Sequence, residues 1–186
     1  MPVADDEQFQ NITKELYGKN VDLVNANKVL ELIQELYDIM ISSYSTESVS
    51  HRFINVICTK MGFSDGLVLV PSMNGKYLKI SGLTQNQMNQ TVMGISGVAT
   101  VNFQFPITDT NNLLVKVYNS GTSKSSKKIY DIWTPYIRQG DLNNLNQTSE
   151  NQLIIAYPIL YGKQVLGSFA LVIGNRNDLS KFEKKA

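Results

Sequence analysis

The 186-residue sequence contains one histidine, His51, and one cysteine, Cys58, and metal or thiol chemistry would have to begin with them. A structural zinc site takes four nitrogen or sulfur ligands, and a histidine triad needs further histidines, so neither can be assembled. A nucleophilic thiol needs a base held against it and a third group to orient that base. The seven-residue spacing from His51 to Cys58 marks no such dyad. Ser64 lies in a G-x-S-x-G pattern, GFSDG at 62–66, but where an expected helix runs into an expected strand, the reverse of the strand-to-helix turn of a nucleophile elbow, and Gly94, Gly97, Gly121, Gly140 and Gly162 are too scattered to form a phosphate-cradling loop. The acidic pair Asp5 and Asp6 reads as solvated charge. The expectation is a chain with no catalytic residue, no metal site and no cofactor; a kinase module, if one exists, would lie outside it.

Composition narrows the remaining classes. Seventeen basic against 16 acidic side chains leave a formal charge of +1, which gives no field to attract nucleic acid or an anionic membrane. The start, MPVADDEQF, lacks the basic and apolar regions of a signal peptide, and no run approaches the roughly 18 apolar residues of a membrane span. A lone Cys58 in a helical, partly buried context fits a small core residue in a reducing cytoplasm. Hydrophobic content of 42% is enough for one proper core. One domain with an appended helix is the economical organisation.

That helix carries the clearest pattern. With Phe9 at heptad position a, the a positions are Phe9, Leu16, Leu23, Leu30, Tyr37 and Tyr44, and the d positions are Ile12, Lys19, Ala26, Ile33 and Met40. A seam held in one register over five heptads follows a supercoil, which predicts a helix over 9–44 paired with a second copy as a parallel coiled coil. The alternatives are an antiparallel pairing of the two helices, a contact through a sheet edge, or a helix buried within its own chain. A second stripe, Val29, Leu32, Leu36 and Ile39, appears only in the C-terminal half, at the spacing that docks a helix on a globular domain. Gly18 and Lys19 interrupt the seam.

Downstream, Ser45 or Thr46 caps a second helix that carries Val49, Phe53, Ile54, Ile57, Cys58 and Met61 and ends at Gly62. GLVLV at 66–70 and KYLKI at 76–80 flank a polar turn as a β-hairpin. VNFQFPI at 101–107 alternates like a half-buried strand, with Pro106 arguing for an edge. Helices are expected around 111–121 and from Ile129 to Ile137, with Asp109, Asn111 and Asn112 capping the first. LIIAYPI at 153–159 and VLGSFALVI at 165–173, joined through Tyr161, Gly162 and Lys163, close the fold as a hairpin. Stretches 84–90, 119–126 and 143–152 are loops by composition.

The entry helix KNVDLVNANKVLELIQELYDI, the hairpin after MGFSDGLVLV, the run FPITDTNNLLVKVYNSG leading to IYDIWTPYI, and the closing AYPILYGKQVLGSFALVIG resemble the GAF domains of bacterial histidine kinases and related signalling proteins. The resemblance covers residues 20–175. It implies an α+β fold: an antiparallel sheet of about five to six strands flanked by helices and preceded by a dimeric signalling helix. The organisation it implies is a disordered start at 1–8, the coiled-coil helix at 9–44, a sensor domain at 45–175, and a tail at 176–186 that begins an output helix.

Family members with chemistry ask for residues this chain lacks. Methionine sulfoxide reduction needs a resolving thiol beside the nucleophile, bilin attachment needs a cysteine elsewhere, and an axial haem ligand would have to be His51, which falls near the start of a helix. Asn175, Arg176 and Phe182 only loosely echo the cyclic-nucleotide-binding pattern. What the resemblance leaves is a pocket between the sheet and residues 84–137, with Phe103, Phe105, Leu113, Val117, Tyr130, Trp133, Tyr136 and Tyr157 on its walls. Aromatic faces with polar tips suit a small planar or amphipathic ligand; the same side chains equally suit a packed core. The expected reading is a non-catalytic cytoplasmic sensor, or a ligand-free relay module. It would act as a homodimer through Phe9, Ile12, Leu16, Leu23, Ala26, Leu30, Ile33 and Tyr37, with neither nucleic acid nor membrane as partner.

Overall fold

The computed structural model describes residues 3–42, 45–85, 87–137 and 152–174. The expectations for Tyr44, for the loop at 143–151 and for the tail at 176–186 lie outside these residues. Helix α1 (Val3–Ser42) is followed by α2 (Thr46–Met61), and the two pack against each other. Salt bridging of Lys60 to Glu35 at 3.4 Å and donation from Arg52 Nη1 to Ser42 Oγ at 2.6 Å fix them as an antiparallel pair. The helical backbone starts at Val3, within the stretch expected to be disordered.

Along α1 the two apolar stripes have different fates. Leu32 and Ile39 are buried at 7% and 1% exposure, with Val29 and Leu36 half-buried beside them. The heptad residues Phe9, Leu23, Leu30 and Tyr37 remain 60–70% exposed. The docked half therefore uses the second stripe and leaves the seam open.

Helix α2 begins at Ser45, whose Oγ accepts from Ser48 N at 3.1 Å, and ends at Gly62 in the left-handed region at φ 72°. Strands β1 (Asp65–Pro71), β2 (Tyr77–Leu83), β3 (Gln104–Pro106), β4 (Lys124–Ser126), β5 (Leu153–Tyr161) and β6 (Gln164–Ile173) form one antiparallel sheet in the order β3-β2-β1-β6-β5-β4. Both predicted hairpins, β1–β2 and β5–β6, are present.

Helix α2 lies on the back of this sheet, where Ile54 and Cys58 pack on Val68 and Leu171. Gly82 permits the approach: a Cβ there would lie 2.5 Å from the Ser50 carbonyl oxygen. The front carries the larger core, built from Leu67, Leu69, Ile154, Ala156, Ala170 and Val172 beneath the residues of 92–137. Over it run α3 (Gln87–Ser96), a 3-10 turn (Thr100–Asn102), α4 (Leu113–Ser120) and α5 (Tyr130–Trp133).

Four expectations change. The strand expected at 101–107 is the 3-10 turn followed by three residues of β3 on the sheet edge, where only Tyr77, Leu78 and Lys79 offer it partners. The helix expected from Ile129 to Ile137 runs only four residues, because Pro135 has no N–H to continue it. Two expected loops carry regular structure: the one at 119–126 contains the end of α4 and all of β4, and the one at 84–90 contains the start of α3. Among the described residues no helix is long and apolar enough to cross a membrane.

Candidate functional site

On the front face, the edge strand, α4 and the segment from Tyr130 to Ile137 bring most of the expected pocket residues together. Phe103 and Phe105 flank Gln104, so the period of the strand turns both rings into the core, where both are fully buried. Their centroids are 6.3 Å apart at 79°. The Tyr136 ring stacks on Phe103 at 3.8 Å and 8°, and meets Phe105 edge-on at 5.5 Å. Trp133 meets Phe103 at 6.1 Å and 82°. Leu113 and Val117 close the group from α4, and Tyr130 packs at its margin.

The polar tips in this group are mostly engaged. Tyr136 Oη donates to Gln104 O at 2.9 Å and accepts from Gln104 N at 2.7 Å, which ties the ring to the edge strand. Asn112 is wholly buried. Its Oδ1 caps α4 by accepting from Leu114 N and Val115 N at 2.9 and 3.2 Å, and its Nδ2 donates to Ile132 O and Thr134 O at 3.1 and 2.9 Å. One side chain therefore starts α4 and holds the end of α5 against it. Trp133 Nε1 and the buried Ser168 Oγ have no hydrogen-bond partner.

Tyr157 does not join the group. Ile154 and Ala156 face the front core, and the next residue points through the back of the sheet, where Tyr157 stacks on Phe169 at 5.5 Å and 25°. Phe169 in turn meets Phe53 of α2 edge-on at 5.8 Å. Beside these rings lies a groove of about 710 Å³ floored by Phe53, Val68, Ile159 and Phe169. The Lys79–Glu47 pair, 2.9 Å apart, stands at its rim and holds the Glu47 carboxyl below its usual range. Sequence reasoning missed this groove; the apolar alternation through Val68, Val70 and Phe169 was the available signal. A smaller cleft of about 480 Å³ lies on the outer side of α5 between Asn111, Lys116, Asp131 and Pro135.

The two residues with chemical potential line neither the front-face group nor the groove, although Cys58 packs in the same back-face cluster as the groove floor. Cys58 is buried under α2 with its thiol pushed up to about 12, chiefly by burial and secondarily by the charge of Asp65. A thiol so placed is a poor nucleophile. His51 is in the second turn of α2, where its carbonyl accepts from Asn55 Nδ2 at 2.8 Å. Among the described residues no three His, Cys, Asp or Glu side chains gather as metal ligands.

No protein-family model and no curated protein matches the sequence. Solved structures do match in shape. The nlh2 GAF domain of A. aeolicus, in an inactive state, superposes with a TM-score of 0.60 at 16% identity, covering 87% of this chain and 88% of that one. The GAF domain of a phosphoenolpyruvate-protein phosphotransferase from Coxiella burnetii gives 0.61 at 10% identity, over 87% and 86%. The fold is that of a GAF domain. A third GAF-fold match, the free methionine-R-sulfoxide reductase of Neisseria meningitidis in complex with its substrate, gives 0.55 at 8% identity over 85% and 80%. At such identities the likeness shows the fold alone.

Proposed function

We propose that this chain is a non-catalytic cytoplasmic sensor domain of a signalling protein, which binds a small molecule at the front-face aromatic site and relays its state through a dimer of α1. The observation that carries the reading is the division of labour on α1: one apolar stripe is docked on α2, and a second remains open along the whole helix. Exposed apolar surface of that length is normally covered by a partner, and the heptad register names a second α1 as the partner of matching geometry. Docking of the C-terminal half makes the helix a connector, because a change in the core reaches α2 and then α1 through packed contacts. Sedimentation equilibrium tests the relay half. A dimer at micromolar concentration is expected, and a monomer at all concentrations would remove the basis for it.

A second reading, a ligand-free dimerisation and relay module, draws on the close stacking of Phe103, Phe105 and Tyr136. Thermal unfolding against a panel of metabolites and nucleotides separates the two. A ligand that binds only the folded state must raise Tm, by about 2.7 kcal/mol of stabilisation at a hundredfold excess over Kd. No shift across the panel would favour the scaffold. A reductase activity like that of the Neisseria relative is disfavoured by the single, buried, high-pKa Cys58.

A further inference from the structure

Trp133 is 1% exposed and its indole Nε1 has no hydrogen-bond partner. An indole N–H only donates, and a buried donor in a folded protein nearly always finds an acceptor. The polar tips of its neighbours in the aromatic group are committed elsewhere, Tyr136 Oη to the Gln104 backbone and Asn112 to the α4 cap and the α5 carbonyls, and the buried Ser168 Oγ makes no bond to the indole. The hydrophobic cluster that holds Trp133 is built of apolar and aromatic side chains and no charged one, so an ion would be disfavoured there. Phe103 offers a ring face, now covered by Tyr136, with Phe105 edge-on beside it, which favours a flat partner. Phe103, Phe105 and Trp133 are closed to solvent, whereas Tyr136 is only half-buried and lies flat on Phe103. Tyr136 is therefore the ring that must swing aside for anything to reach the cluster.

We propose that the ligand of this site is an uncharged planar ring compound carrying a hydrogen-bond acceptor, and that the acceptor takes the indole proton of Trp133. This assignment rests on the small-molecule reading of the front-face site. It names a donor that selects among flat ligands: rings without an acceptor leave the indole unpaired and bind more weakly, by about tenfold for one neutral hydrogen bond.

Quinoline and naphthalene make a matched probe pair, two fused rings of nearly equal shape that differ by one ring nitrogen. Trp133 is the sole tryptophan, so its indole N–H gives one identifiable cross-peak in a ¹H–¹⁵N spectrum of the full chain. Saturable downfield movement of that peak with quinoline is expected, together with a preference over naphthalene of about tenfold. Trp133→Phe keeps the ring packing, deletes the donor and should erase the preference. Tyr136→Ala, which opens the entrance, should tighten both probes and keep the preference, and this variant carries the test if Trp133→Phe does not fold. Equal affinity for the two probes, a preference that survives Trp133→Phe, or no binding even to Tyr136→Ala would each overturn the proposal. If metabolites raise Tm without moving the indole peak, the Trp133 assignment alone falls and the sensor reading stands.

Discussion

Asn112 shows how much of this fold hangs on one short side chain. All four of its hydrogen-bonding positions are used, two for the start of α4 and two for the end of α5. Asn112→Ala would strip an N-cap and leave buried carbonyls of Ile132 and Thr134 without that donor, a loss of about 2 to 3 kcal/mol. Urea unfolding should show this as a lower midpoint with an unchanged slope. Asn112→Asp tests the two halves separately, since it keeps the cap and loses the donation. Cys58 makes a pH-dependent prediction. Its thiol is raised from an ordinary value of 9.0 to about 12 in the folded chain. Above pH 9 the unfolded chain loses this proton while the folded chain keeps it, so the unfolded state binds fewer protons and stability falls as pH rises toward 12. Below pH 9 both states hold the proton and the contribution is fully present. Comparing the wild type with Cys58→Ala between pH 8 and 10.5 isolates the effect from tyrosine and lysine titration: the wild type should lose more stability over that interval. A parallel loss in both proteins would show that Cys58 is not its source.

Among the elements, α2 and β2 approach backbone to backbone, and glycine sets the distance. Gly82→Ala would place a methyl group 2.5 Å from Ser50 O and 2.6 Å from Ser50 C. Backbone cannot swing aside as a side chain can, so a cost of about 2 to 3 kcal/mol is expected. Gly94 is the counterpart: it lies within α3 with no atom within 4 Å of an added Cβ. Gly94→Ala should stabilise by up to about 1 kcal/mol through helix propensity, and thermal unfolding of the two variants should move in opposite directions. The same contrast explains which elements were legible in the sequence. Hairpins with alternating apolar residues, the Ser45 and Gly62 ends of α2, and the Asn112 cap each leave a local signature. Strand β4 reads Lys-Ser-Ser and owes its conformation to pairing with Ile154, Ile155 and Ala156, a non-local cause that no window of sequence contains. The aromatic site was visible as residue types, but Tyr157 needed the parity of β5, one step away from Ala156, to place it on the back face. The unpaired indole of Trp133 follows from how the whole fold packs around it, which no stretch of sequence records.

At the scale of the whole molecule, the open seam of α1 and the closed core make separable contributions to stability. Leu23 and Leu30 are 60% and 62% exposed and lie outside the buried core clusters. The paired substitution Leu23→Glu and Leu30→Glu should therefore leave the unfolding of the sheet and its helices intact in a dilute sample. A dimer gains stability with concentration, because association favours the folded state by mass action. The Tm of the wild type should climb as protein concentration rises from about 1 to 100 μM, whereas that of the double variant should stay flat and meet the wild-type value at the dilute end. Two glutamates per helix at a parallel seam bring like charges together in an apolar environment, which is costly enough to abolish a coiled coil of five heptads. If the double variant kept the wild-type concentration dependence, association would run through another surface, and the apolar groove beside Phe53 and Phe169 would be the first to probe. If its Tm fell at the dilute end, the N-terminal half of α1 would be supporting the domain directly, and the description of the helix as a connector with one free half would have to be abandoned.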